Sequence, residues 1–298
     1  MKRLKLRVLR LISVPLIASA CRHGASAAQG EPARAQSWYA GPATCVGTPA
    51  FRIREYAPGV FVFRQPACTN YEKPFLYLLV GKSKALLLDT GAGGIDVATP
   101  IDSTLNAWRR THGGSPSELI VGHTHAHGDH RAGDSQFRNR TKVTLIGTDT
   151  TSVRAFYGFT SWPTAPVTFD LGGRVLDVLA IPGHEPSSIA VYDRATRLLL
   201  TGDTFYPGRL YVRDTAAYAR SIARLATFAS QHKIDAILGT HIEQSATPFV
   251  DYVVGTKDQP NEDRLELSRA ELVTLDSAVQ GMRGKFTRSK LPRFTIWP

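Results

Sequence analysis

The sequence holds only three cysteines in 298 residues, and no two of them stand in a Cys-x-x-Cys spacing. That spacing is the usual mark of a thiolate metal site, so neither Cys45 nor Cys68 reads as a metal ligand. Long apolar runs are also missing. The stretch from Leu11 to Ala20 is about half of the roughly 20 residues a membrane span requires, and no later segment is longer. No Gly-x-Ser-x-Gly elbow occurs, which leaves serine-hydrolase chemistry without support. No acidic residue precedes Glu31.

That last gap locates the charge. The chain carries 36 basic and 25 acidic residues, a formal +11, which on its face suggests an anionic partner such as nucleic acid or lipid headgroups. Five of the cations, Lys2, Arg3, Lys5, Arg7 and Arg10, lie in the first ten positions, ahead of the apolar run and then small residues. A basic start, a short apolar stretch and an Ala-x-Ala site form the layout of a secretory signal peptide, expected at 1–20. Ala18-Ser19-Ala20-Cys21 resembles a lipobox with Ala18 in place of the usual Leu, and Ala25-Ser26-Ala27 offers ordinary cleavage instead. The membrane is therefore expected to matter only through a lipid on Cys21, and the protein is expected in the periplasm or anchored there. Removing 1–20 lowers +11 to +6. No basic run remains beyond the signal, so nucleic acid is not an expected partner. In an oxidising compartment Cys45 and Cys68 are expected to form a disulfide, with two buried free thiols as the alternative.

Residues 21–40, rich in Ala, Gly, Ser and Gln, read as a tether, with order beginning near Trp38. A catalytic domain is expected over 41–298, including a C-terminal extension from about 250. Apolar runs predict strands at Val60 to Arg64, Phe75 to Val80, Ala85 to Asp89, Glu118 to Val121 and Val143 to Ile146. Hairpins are expected at Val167 to Ile181 and Ser188 to Thr201, followed by a strand at Ile234 to Leu238. Helices are predicted around Ile101 to Thr111, over 215–233, and after a Ser268/Glu271 capping box. Arg293 to Trp297 is expected as an edge strand. The alternation indicates one α/β domain of two stacked halves.

The informative segment is His123-Thr124-His125-Ala126-His127-Gly128-Asp129-His130. In an extended turn at a strand end, residues two apart project the same way, so His125 and His127 can meet one metal ion. Asp129 and His130 follow where a helix begins and point elsewhere, towards a second ion. A cluster of solvated histidines, with Asp129 as a helix cap, is the plainer explanation for one or two such residues, but not for five within eight positions. His184, Asp203 and His241 each follow an apolar strand and a small residue, where ligands gather in α/β sheets. Imidazole and carboxylate donors suit zinc, iron or manganese. Gly91-Ala92-Gly93-Gly94 and Gly81-Lys82-Ser83 resemble nucleotide loops but lack the remaining glycines.

On His125-Ala126-His127-Gly128-Asp129-His130 together with His184, Asp203 and His241, the sequence resembles the metallo-β-lactamase superfamily over about residues 50–245. The resemblance implies a four-layer αβ/βα sandwich and two divalent metal ions, zinc first and iron or manganese as alternatives. It assigns His125, His127 and His184 to the first ion, Asp129, His130 and His241 to the second, and Asp203 as the bridge. Asp89, in Leu88-Asp89-Thr90, matches the family's strand-end Asp and would orient a ligand. His123 lies outside the signature and is expected to be a buried structural residue.

Two metals with an Asp bridge suggest hydrolysis by a shared activated water, with Asp129 orienting or shuttling a proton. True β-lactamases of this fold generally have Cys or Ser at the bridging position, whereas thioesterase and lactonase relatives retain Asp. Tyr206 resembles a tyrosine that lactonase relatives place on the substrate carbonyl; its alternative is packing within a loop. The aromatic stretch from Phe156 to Trp162 either lines the pocket or packs beneath a loop. The expected substrate is a small ester, lactone or thioester. An amide hydrolase of β-lactamase type, or a non-hydrolytic redox or binding protein of the same fold, is the alternative.

Overall fold

A computed structural model describes Met1 and residues 37–39, 44–114 and 116–298. The expected signal sequence, Cys21 and most of the tether lie outside the described residues. Among the described residues no helix is long and apolar enough to cross a membrane.

The first sheet is laid down in chain order: β1 (Arg52–Ala57), β2 (Val60–Arg64), β3 (Phe75–Val80), β4 (Lys84–Leu88), β5 (Glu118–Gly122) and β6 (Val143–Leu145). Its first four strands are antiparallel, and β4, β5 and β6 are parallel. A parallel pair needs a crossover, and α1 (Ala98–His112) provides it between β4 and β5. The short α2 (Gly128–Arg131) follows β5, and α3 (Thr150–Tyr157) leads to the second sheet.

There β7 (Val167–Asp170), β8 (Val175–Ala180), β9 (Ile189–Asp193) and β10 (Leu198–Gly202) form an antiparallel meander. After β11 (Arg209–Tyr211), α4 (Thr215–Gln231) crosses to β12 (Ala236–Gly239), parallel to β10. The chain closes with β13 (Glu266–Leu267), α5 (Arg269–Gly281), β14 (Ser289–Lys290) and β15 (Thr295–Trp297).

Side-chain alternation builds the layers. Phe75, Tyr77 and Leu79 of β3 join the core between the two sheets, while Leu76, Leu78 and Val80 face the core beneath α1. All six are buried, which is why this strand reads as an unbroken apolar run. On the other side, Ala190, Leu199 and Ile237 pack under Ile222 and Leu225 of α4 and Leu272 and Leu275 of α5. Burying a side chain of this size contributes about 1.5–3 kcal/mol. The result is the four-layer αβ/βα sandwich expected from the sequence.

A buried cation, Arg174, links the two sheets. The Arg174 guanidinium donates to Asp193 Oδ2 at 3.0 and 3.2 Å, to Val80 O at 2.8 Å, to Gly59 O at 3.0 Å and to Pro58 O at 2.7 Å. It thereby joins the β1–β2 turn and the end of β3 to the second sheet. Cys45 and Cys68 form a disulfide, with Cα atoms 5.3 Å apart, tying the segment before β1 to the loop after β2.

The extension expected from about 250 carries β13, which pairs with β12, and α5, which packs with α4 over the second sheet. Two expectations differ in the structure. Thr295–Trp297 is the middle strand of a small sheet ordered β11-β15-β14. Its flanking partners, three and two residues long, are too short to show periodicity in sequence. β1 and α3 were also not anticipated; α3 is marked by its Asp149 cap, which accepts from Ser152 N, and by left-handed Gly158.

Candidate metal centre

The candidate donors follow strand ends of the two sheets, apart from the two carried by α2. Asp89 follows β4, His125 and His127 follow β5, and Asp129 and His130 lie in α2. From the second sheet come His184 after β8, Asp203 after β10 and His241 after β12. Backbone crowding explains the small residues before two of them. Gly183 has φ 140°, and a Cβ there would stand 2.4 Å from Tyr218 Cα; Gly202 has φ 54°, and its Cβ would stand 2.7 Å from Thr124 Cβ.

The seven donors form two groups sharing one carboxylate: His125, His127, His184 and Asp203, and Asp129, His130, Asp203 and His241. Within each group the donor atoms lie within 4.8 Å of one another. His127 Nδ1 is 3.0 Å from His125 Nε2 and 3.1 Å from His184 Nε2. In the other group, Asp129 Oδ2 lies 3.1 Å from His130 Nε2 and 3.3 Å from His241 Nε2. Asp203 spans both, with Oδ2 3.6 Å from His125 and His184 and 3.5 Å from His130, and Oδ1 3.3 Å from His241. His127 and Asp129 are the partly exposed donors, whereas the other five are buried.

The outward-facing ring atoms fix which nitrogens face inward. His184 Nδ1 lies 2.8 Å from Tyr211 O and His241 Nδ1 3.0 Å from Glu72 O. A carbonyl only accepts, so each Nδ1 carries a proton and Nε2 is left as the inward-facing, ligating nitrogen. His130 Nδ1 is held in the same way, 2.9 Å from Asp89 Oδ2. Converging lone pairs repel unless a cation lies among them. Tetrahedral zinc with bonds of about 2.0–2.1 Å would separate its nitrogen donors by roughly 3.3 Å, close to the spacings present. The donor set therefore fits two divalent ions.

Charge follows the same plan. Burial would raise Asp203, but His241, His130 and His125 hold it well below the usual carboxylate range. His130 lowers Asp129 in the same way against its burial. Burial, then the neighbouring His130, pushes His125 well below the usual imidazole range, and burial also lowers His184. For His130 and His241, burial is outweighed by Asp203 and Asp129, and both are raised. Metal binding must therefore displace protons from the Asp129 side of the site.

Asp89 is an organiser. It takes a left-handed φ of 71°, accepts from Thr124 N at 2.7 Å and Thr124 Oγ1 at 2.9 Å, and holds His130. Asp89→Asn is expected to weaken metal binding about 10–100-fold, read by chelator competition; unchanged affinity would remove this role. His123 stands outside both groups, with Nε2 2.9 Å from Asp134 Oδ1.

Tyr206 differs from the expectation of a substrate contact. Its ring is buried 5.6 Å from the His241 ring, and its hydroxyl donates to Arg209 O and lies 3.0 Å from Glu243 Oε2. Burial first, then Glu243, keeps that hydroxyl well above the usual tyrosine range, so it stays protonated. Arg209 completes this wall, binding Glu243 at 2.7 Å and Asp251 at 3.0 Å. Thr240, which donates to Asp203 Oδ1, and the Glu72 and Tyr211 carbonyls were not anticipated. Thr240 stands next to a candidate ligand, but a backbone carbonyl has no sequence signal.

Fold and site together define an α/β sandwich with two adjoining His/Asp clusters at the strand ends. Residues 73–241 match the family model of the metallo-beta-lactamase superfamily, and the chain belongs to that superfamily. A hydroxyacylglutathione hydrolase of Pseudomonas entomophila is 30% identical over 50% of this chain and 58% of its own length. The acyl-coenzyme A thioesterase MBLAC2 of Gallus gallus is 22% identical over 64% of this chain and 80% of its own. The chain spans about half the length of the hydroxyacylglutathione hydrolases it matches. Among solved structures, FIM-1 from Pseudomonas aeruginosa aligns over 80% of this chain and 97% of its own with a TM-score of 0.51 at 13% identity. A metallo-beta-lactamase from Pontibacter korlensis aligns over 77% and 99% with a TM-score of 0.50 at 17% identity. These two likenesses concern the fold.

Proposed function

We propose that the protein is an exported hydrolase with two divalent metal ions, zinc first among them, acting on a small ester, lactone or thioester. The observation that carries this reading is the Asp203 carboxylate, whose two oxygens reach both donor groups. When bound, the ions would lower the pKa of a coordinated water towards about 7 and polarise the scissile carbonyl. His125, His127 and His184 would hold one ion and Asp129, His130 and His241 the other, with Asp203 between. Thr240 orients Asp203, and the Glu72 and Tyr211 carbonyls keep His241 and His184 in one ring orientation. Asp129, the partly exposed donor of its group, would orient the incoming water or shuttle a proton to the leaving group. Tyr206 acts from behind, as a wall for His241.

Relatives named as a hydroxyacylglutathione hydrolase and an acyl-coenzyme A thioesterase support thioester cleavage. The basic, apolar N-terminus and the Cys45–Cys68 disulfide support export, with a lipid on Cys21 or cleavage after Ala27. The test is turnover of a thioester and lactone panel against nitrocefin by zinc-loaded protein. Thioester or lactone turnover at least 100-fold above nitrocefin is expected; the reverse order would make the protein an amide hydrolase.

A further inference from the structure

We propose that a recess of about 420 Å³ beside His184 receives an apolar acyl group of the substrate. This inference rests on the ester and thioester reading and names its substrate class. The recess is lined by Trp162, Pro163, Pro182, Pro186 and Ala217, with His184 itself in the wall. An acyl chain entering it stands next to a candidate metal ligand.

Both carboxylates around the recess are already committed. Glu185 Oε2 accepts from Ser187 N at 2.7 Å and Ser187 Oγ at 2.6 Å. Asp214 Oδ1 caps α4 by accepting from Ala217 N at 2.9 Å. Arg213 is exposed, with its guanidinium 5.9 Å from the centre of the Tyr211 ring. None of the buried polar atoms lacking a partner among the described residues belongs to a residue lining this recess. With the carboxylates occupied, the apolar walls favour an occupant that gains by release from water.

The walls are fixed in advance, which favours recognition over collapse. Trp162 packs edge-on against Phe159 with ring centres 5.0 Å apart, and Phe159 belongs to the core between the sheets. Opposite, Arg213 N and Asp214 N both donate to Gly183 O at 2.9 Å, and Ser221 Oγ donates to Pro182 O at 2.7 Å.

The test is a series of thioesters with one leaving group and acyl chains from acetyl to hexanoyl, hydrolysed by the zinc-loaded protein. A contribution of about 0.8 kcal/mol per buried CH₂ converts to a rise in kcat/KM of roughly fourfold per methylene. Trp162→Ala should flatten that rise. Thr150→Phe, which narrows the recess from the side of α3, should depress hexanoyl over acetyl turnover. A flat series in the unaltered protein or an unchanged slope in both variants would overturn the proposal. Calorimetric binding of acetate through hexanoate to the same protein reads the recess without turnover. If no thioester is cleaved but affinity still climbs with chain length, the hydrolase reading falls and the acyl pocket stands; equal affinities would sink the pocket.

Discussion

Asp203→Ala is expected to abolish hydrolysis and metal loading together, because among the described residues its carboxylate is the one that both donor groups share. The loss should exceed the ~10–100-fold typical of residues that merely support a ligand, and metal analysis should show fewer than two ions per chain. Removing this anion also leaves His130 and His241, which Asp203 and Asp129 now raise, with less reason to hold charge. His125→Ala should behave likewise. A variant that is metal-free yet fully active would refute the metal mechanism, and one that keeps two ions but loses turnover would reassign Asp203 from binding to chemistry.

The largest expected effect on stability is at Arg174. Arg174→Met removes a guanidinium that serves Asp193 and three backbone carbonyls, leaving a fully buried carboxylate without its cation. Breaking such a pair costs about 3–5 kcal/mol, or roughly 6–20 °C in Tm for a chain of this size. Adding Asp193→Asn should recover part of the loss, since the stranded charge is then gone. Thermal unfolding of the metal-loaded protein measures both, and a shift near zero for the single variant would show that the pair contributes nothing net.

Much of the candidate site was legible because metal chemistry restricts donors to a few residue types and strand-end placement restricts their positions. His125, His127, Asp129 and His130 crowd into one turn, and His184, Asp203 and His241 each end an apolar run. The strands were legible for a related reason: burial on both faces leaves unbroken apolar runs such as Phe75–Val80. The supporting contacts were not. The Tyr211 and Glu72 carbonyls are backbone, identical in every residue, and only the folded path brings them to His184 and His241. Tyr206 shows the converse problem, because its position near Asp203 in sequence does not reveal that its hydroxyl turns towards Arg209 and Glu243. β11 and β14 are short enough that long-range pairing, not local pattern, decides them, and that pairing turns the strand expected at Arg293 to Trp297 from an edge into the centre of its sheet.

The division of donors between the two sheets has a thermodynamic consequence. His125, His127, Asp129 and His130 follow β5, whereas His184, Asp203 and His241 belong to the second sheet, so each donor group draws on both. An ion seated in either group would act as a rivet between the halves, and ligand linkage would make the melting temperature depend on free metal concentration. At 100 times Kd a single site adds about 2.7 kcal/mol. Depletion of metal would then loosen the seam between the sheets as well as stop turnover, making the supply of metal a determinant of how long the protein survives.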